Sequence, residues 1–169
     1  MTPLLQRITT EYSDVQDRIR LAGELDDGQT VVLWLTQRLL NRVIPHLCQQ
    51  LEQRVGGTPM AEVKQEFAQQ KARADLEPQP AVRTDADAQG VLVHSVDMKS
   101  LHAGMGLQFK NADGHVVASL QLHAKPVRQW LNIVYDQYLR AQWPSNVWPA
   151  WVTEAKPAHS KGRGAAVLH

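Results

Sequence analysis

The segment MGLQFKNADGHVVASLQL, residues 105–122, carries the clearest fold signal in the chain. A two-residue turn at Asp113-Gly114 would place six apolar side chains in three facing pairs: Met105 with Leu122, Leu107 with Leu120, and Phe109 with Ala118. All six then lie on one face, and the polar side chains between them lie on the other. Turn chemistry and hydrophobic alternation therefore predict the same antiparallel hairpin.

A second hairpin is predicted by two apolar stretches, residues 18–25 and 30–36, on either side of Asp26-Asp27-Gly28. A three-residue loop with Gly28 in the left-handed conformation pairs Leu21 with Leu33 and Ile19 with Leu35 on one face. A two-residue loop would place these stripes on opposite faces, so the longer loop is favoured. Weaker strand patterns occur at residues 7–12 and 91–98.

Each hairpin continues into a predicted helix. Thr36 suits the N-cap of the first, which ends at Gly56-Gly57, and Pro126 suits the start of the second, which ends before Pro144. A third helix, residues 60–76, is mostly polar and is expected on the surface. Its few apolar anchors are Met60, Val63, Phe67 and Leu76.

These elements predict an α+β fold in the order βββα–α–βββα, with antiparallel hairpins each followed by a helix and the helices packed on one face of the sheet. The halves share a weak pseudo-repeat, because both contain Asp-Gly, then Val-Val, then Leu-Asn. The spacing between these matched pairs changes along the chain. Two unrelated hairpins and a true duplication therefore both stay open.

The chain of 169 residues is the size of one domain, which we place at residues 1–154. Within it, residues 75–90 contain two prolines and four acidic residues against one arginine, a composition typical of a mobile acidic linker. Residues 155–169 contain three basic residues and no acidic one. They are expected to form a disordered basic tail.

Composition excludes several classes of protein. The formal net charge of +1 argues against a strongly basic nucleic-acid binder, and one cysteine, Cys48, excludes a disulfide framework or a cysteine-rich metal site. No apolar run approaches the ~18 residues of a membrane span, and the N-terminus lacks a signal-peptide pattern. We expect a soluble, cytoplasmic domain. Since familiar catalytic, phosphate-binding and metal-ligating motifs are missing, no catalytic residue, metal or cofactor is predicted, and an enzyme is not favoured.

The C-terminal strip WPSNVWPAW, residues 143–151, holds three of the five tryptophans. One interpretation is an arm whose indoles cover the edge of the core. The other is a docking strip for a protein partner or a second copy, formed by Trp143, Pro144, Trp148, Pro149 and Trp151. Seven glutamines in the two central helices suit either solvation or contact with another chain.

The leading functional hypothesis is therefore a non-enzymatic protein-interaction, adaptor or assembly domain that is expected to be oligomeric and to dock through this strip. One alternative is a single-stranded nucleic-acid module that uses Arg18, Arg20, Lys161 and Arg163. The other is a small-ligand protein or enzyme with a polar cleft formed by His94, Asp97, His102 and His123.

Overall fold

The structure is a computed structural model that describes residues 2–57, 59–85, 88–155 and 166–168. The first half contains β1 (Leu5–Ser13), β2 (Arg18–Leu25), β3 (Thr30–Leu35), α1 (Gln37–Val55) and α2 (Ala61–Ala74). The second contains β4 (Val91–Leu92), β5 (Ser95–Leu101), β6 (Gly104–Lys110), β7 (Val116–His123), α3 (Ala124–Ala141), α4 (Ala150–Thr153) and β8 (Ala166–Leu168). The described part of the chain has no helix long and apolar enough to cross a membrane.

The predicted α+β fold is confirmed. The strands, however, form two separate sheets in place of the single predicted sheet. The larger sheet has the order β4-β3-β2-β1-β8, and the smaller has the order β5-β6-β7. Each contains an antiparallel three-stranded meander that leads into a helix, α1 or α3. The sheets meet where the Ser119 N–H donates to the carbonyl of Pro3 at 2.8 Å.

Both predicted hairpin registers are confirmed for the buried pairs, including Leu21 with Leu33 and Leu107 with Leu120. The two-residue turn predicted at Asp113-Gly114 is wrong. The Asn111 N–H donates to the carbonyl of His115 at 3.0 Å, which closes a three-residue loop. A β-bulge next to the loop absorbs the extra residue, and so the pairing of the apolar residues is unchanged.

One apolar core joins both sheets to α1 and α3. The N-cap prediction is confirmed, because the Thr36 hydroxyl accepts a hydrogen bond from the Leu39 N–H at 3.1 Å. On α3 the Trp130 indole donates to the Thr10 hydroxyl at 3.1 Å, and the Tyr138 hydroxyl donates to the Asn41 side chain at 2.7 Å. These bonds satisfy the polar ends of large buried rings.

The described part of segment 75–90 lies against the opposite face of the larger sheet. Thr10 faces α3, and since side chains alternate along a strand, Thr9 points to the other side. There the Thr9 hydroxyl accepts from the Val82 N–H at 2.8 Å, and Arg20 donates to the Thr84 hydroxyl at 2.6 Å. The predicted mobility of the segment stays a prediction.

Of the predicted basic tail, residues 155–169, the structure describes Ala155, which is buried, and Ala166–Leu168, which form β8 on the edge of β1. Its other residues from 156 onward lie outside the described residues. The division into a domain at residues 1–154 and a tail stays a prediction.

Candidate interaction surface

The three indoles of the C-terminal strip point into the chain's own core. Trp143, Trp148 and Trp151 are 8%, 6% and 8% exposed. Pro144 is exposed and Pro149 is half-buried. This arrangement corresponds to the arm that covers the edge of the core, and it leaves the indoles unavailable as anchors for a partner.

Specific contacts hold the arm in place. The Trp143 indole donates to Asp17 at 3.1 Å, and the Trp151 indole donates to Glu52 at 3.1 Å. Trp148 packs edge-on against Tyr138, with ring centroids 5.2 Å apart. Because the three indoles reach the β1–β2 turn, α1 and α3, the arm ties distant parts of the fold together.

The structure does not bring together the four residues of the predicted polar cleft. The His94 backbone N–H pairs with Lys110 at one end of the smaller sheet, where Asp97 forms an ion pair with the same lysine. His102 lies in the β5–β6 turn at the other end, near His123 on β7. Eight strand residues separate the ends by about 26 Å. Among the described residues, no group of three or more His, Cys, Asp or Glu side chains could hold a metal ion.

The residues proposed for nucleic-acid binding are also dispersed. Arg20 lies 3.5 Å from Glu11 and donates to Thr84, so its guanidinium is already engaged on the covered face of the sheet. Arg18 is half-buried at the start of β2. Lys161 and Arg163 lie outside the described residues.

Cys48 is buried on α1, and burial raises the pKa of its thiol to about 12. The thiol therefore stays protonated at neutral pH, and the nucleophilic thiolate is not formed. Cys48 acts as a small apolar core residue.

Helix α2 has its apolar face outward. Met60, at its N-cap, is 56% exposed, and Val63 and Phe67 are 55% and 68% exposed. The residues that α2 buries are Gln65, Gln69 and Ala72. The prediction that Met60, Val63 and Phe67 anchor this helix is therefore wrong, although the helix does lie on the surface as expected.

The apolar side of α2 faces outward because its opposite side forms a polar interface with α3. The buried Arg128 guanidinium donates to Gln65 at 2.6 Å and to Gln69 at 3.3 Å. Gln69 donates back to the Arg128 carbonyl at 2.8 Å, and Gln129 donates to the Ala72 carbonyl at 3.0 Å. Since a buried guanidinium needs acceptors, the side of α2 that supplies amide oxygens must face α3.

Arg128 is held without a carboxylate at hydrogen-bond distance in the described chain. Its guanidinium lies over the Trp151 ring, 5.5 Å from the centroid. Burial lowers the pKa of Arg128 from its usual value. The two glutamines and the indole face thus stabilise this buried charge. Their contacts with Arg128 hold α2 in the orientation that exposes its apolar stripe.

Sequence reasoning missed this surface because a three- and four-residue spacing of apolar side chains has the same appearance whether it faces a core or water. The sequence signal that predicts the orientation of α2 lies partly on another helix, α3. Arg128 lies next to an apolar position of α3, and Gln65 and Gln69 lie four residues apart on α2, a combination that indicates a polar contact between the two helices.

A separate cleft of about 360 Å³ opens where the two sheets diverge. Its apolar lining is formed by Ala103 and five leucines, Leu4, Leu5, Leu101, Leu120 and Leu122. Gln6, Gln121 and His123 also line it, so one residue of the predicted polar cleft borders a real concave site.

Comparison of the chain with protein-family models, with curated proteins and with solved structures gave no match.

Proposed function

We propose that this protein is a non-enzymatic protein-interaction domain of the adaptor or assembly class, and that its contact surface is the outer face of α2. The observation that carries the proposal is the exposure of Met60, Val63 and Phe67 on one side of a helix whose other side is polar and buried. The proposal keeps the class of function expected from the sequence and moves the surface from the tryptophan strip to α2.

Three large apolar side chains in neighbouring turns form a contiguous patch, in contrast to isolated apolar residues, which are common on surfaces. Burial of such a patch by a partner would be favourable at roughly 25 cal/mol for each Å² removed from water. Phe and Met are also enriched at the centres of protein interfaces.

A position-specific photocrosslink tests the proposal. The photoreactive analogue benzoylphenylalanine replaces Phe67 in one version of the full chain and Leu139 in a control version, expressed in the source cells. Leu139 is a suitable control because it is 55% exposed but lies on α3. We expect crosslinked protein, either the same chain or another, from position 67 in clear excess over position 139. Equal yields from the two positions would overturn the proposal.

The cleft between the sheets supports a second candidate, the binding of a small ligand that has both polar and apolar groups. Its volume of about 360 Å³ is within the range of small-ligand sites, and leucines form much of its lining, as is usual in such sites. Binding of anilinonaphthalene sulfonate, followed by NMR shifts of the Gly104 and Gln121 amides, tests this candidate. Gln121→Trp should block the cleft, whereas Gln108→Trp, on a neighbouring exposed strand position, should not. Equal binding by both variants would exclude the cleft as the site.

A further inference from the structure

The exposed side of α2 follows the spacing of a coiled-coil seam. Met60, Val63, Phe67, Gln70 and Ala74 are separated alternately by three and four residues, and all five are exposed. They occupy successive a, d, a, d and a positions, which are two full heptads and the first position of a third, and the buried Gln65 and Ala72 then fall at f, on the opposite side. We infer that this face pairs with the same face of a second copy of the chain, as a parallel two-helix contact. The inference rests on the proposed function and names its partner.

Charges beside the seam favour self-pairing. In this heptad assignment Lys71 occupies an e position and Glu66 occupies the preceding g position, and both are exposed. In a parallel pair, each g residue lies opposite the following e residue of the other helix. Glu66 of each copy therefore faces Lys71 of the other, and the two-fold axis produces this ion pair twice.

An antiparallel pair is disfavoured by the same residues. It would bring e positions together, so that Lys64 and Lys71 would repel each other across the seam. The only attractive charge pair in the antiparallel arrangement would join Glu66 to Arg73 of the other copy. Arg73 is only 17% exposed and already lies 3.6 Å from Asp136 of its own chain. Lys71 also lies 3.1 Å from Asp75 of its own chain, but its side chain is 64% exposed and therefore reaches a second copy more readily than that of Arg73. The available charges thus match the parallel arrangement.

The contact is small, and the association should be weak. With 14 residues, α2 is roughly 21 Å long, and two such helices bury less than the ~1,600 Å² of a standard interface. However, α2 is already held on α3, so pairing does not require folding of a short isolated helix. A reversible dimer that forms as the protein concentration rises is the expected state.

Sedimentation velocity of the full chain over a wide concentration range tests the self-association. Phe67→Ser should lower the association constant by at least about tenfold, since it removes the largest side chain of the seam. Leu139→Ser, the matched control on α3, should leave the constant unchanged. A wild-type chain that stays monomeric at all concentrations, or an equal effect of both variants, would overturn the inference.

A charge exchange tests the arrangement. Glu66→Lys and Lys71→Glu should each weaken self-association by about tenfold, because two attractive pairs become repulsive. A mixture of the two variants should form a heterodimer at least as readily as the wild type forms its homodimer, since both flanking pairs are again of opposite charge. Lys64→Glu, whose position faces Pro59 of the second copy, should have little effect. No recovery on mixing would contradict the parallel pair.

Folding of every variant is checked by circular dichroism and by the thermal midpoint, particularly for Lys71→Glu, since Lys71 lies 3.1 Å from Asp75. Failure of the inference is distinguishable from failure of the proposed function. A monomeric chain whose position 67 crosslinks to a different protein overturns self-pairing and leaves the interaction domain standing. A monomeric chain without a position-specific crosslink overturns both.

Discussion

The C-terminal strip and α2 show opposite relations between composition and exposure. The strip is rich in tryptophan and proline, and its three indoles are buried. Helix α2 is mostly polar, and it exposes a phenylalanine, a valine and a methionine. The difference shows that composition does not determine exposure. Trp143 and Trp151 are buried with hydrogen-bond acceptors for their indole N–H groups, whereas Trp148 is buried by packing against Tyr135 and Tyr138, without a hydrogen-bond partner in the described chain.

Hydrogen bonds orient two of the three strip indoles and the buried side of α2. The Trp143 and Trp151 indoles point inward because Asp17 and Glu52 accept their N–H groups. On α2, Gln65 and Gln69 face inward because the Arg128 guanidinium needs their oxygens. An unpaired guanidinium buried in the protein would cost several kcal/mol, so the Arg128 bonds favour the orientation of α2 that turns Gln65 and Gln69 inward.

The strongest test of the comparison is removal of a strip indole. Trp148→Ala should lower the free energy of unfolding by about 3–5 kcal/mol, because the ring is buried against Tyr135 and Tyr138. Urea denaturation monitored by circular dichroism measures the change. A loss below about 1 kcal/mol would mean that the strip is a loosely attached surface segment.

The polar interface of α2 should show the next largest effect. Gln69→Ala removes the acceptor of one Arg128 bond and the donor to the Arg128 carbonyl, and should cost about 1–3 kcal/mol. Gln70→Ala, one position along on the exposed side, should stay within about 0.5 kcal/mol. Equal losses in urea denaturation would contradict the inward orientation of Gln69.

A smaller, pH-dependent effect is expected where the strip contacts the β1–β2 turn. Hydrogen bonds from Tyr12, at 2.7 Å, and from Trp143 lower the pKa of the Asp17 carboxyl. Since its folded-state pKa lies below the unfolded value of about 3.9, Asp17 contributes stability above that pH and loses it as the pH falls through the folded pKa. The thermal midpoint of Asp17→Asn should therefore vary less than that of the wild type between about pH 5 and about pH 3.

Asparagine is the suitable replacement because Asp17 has a φ of 48°, a left-handed conformation that asparagine tolerates. A parallel decline of both proteins with falling pH would show that Asp17 is not linked to stability.

The smallest effect on stability is expected on the outer face of α2. Phe67→Ala should change the free energy of unfolding by less than about 0.5 kcal/mol at a protein concentration where the chain is monomeric. The same urea denaturation measures it. A loss comparable to that of Trp148→Ala would mean that Phe67 packs within its own chain and that the surface proposed for partners is not free.

Prediction from the sequence succeeded where the signal was local. The hairpin registers follow from hydrophobic alternation, even at Asp113-Gly114, where the predicted turn length is wrong, and the N-cap at Thr36 follows from one hydroxyl. The division into two sheets and the parallel pairing of β4 with β3 depend on contacts between distant segments. No local pattern specifies these contacts, because a strand edge carries the same N–H and C=O groups whatever its partner.

The candidate surface shows the same limit. Periodicity is a property of neighbouring residues, so the sequence predicts a surface helix over residues 60–76 with a few apolar side chains, and α2 is found at Ala61–Ala74. Which side of that helix faces outward depends on a contact with a distant segment. Arg128, a buried charge about sixty residues away along the chain, needs hydrogen-bond acceptors, and this turns the glutamines inward and the apolar stripe toward water.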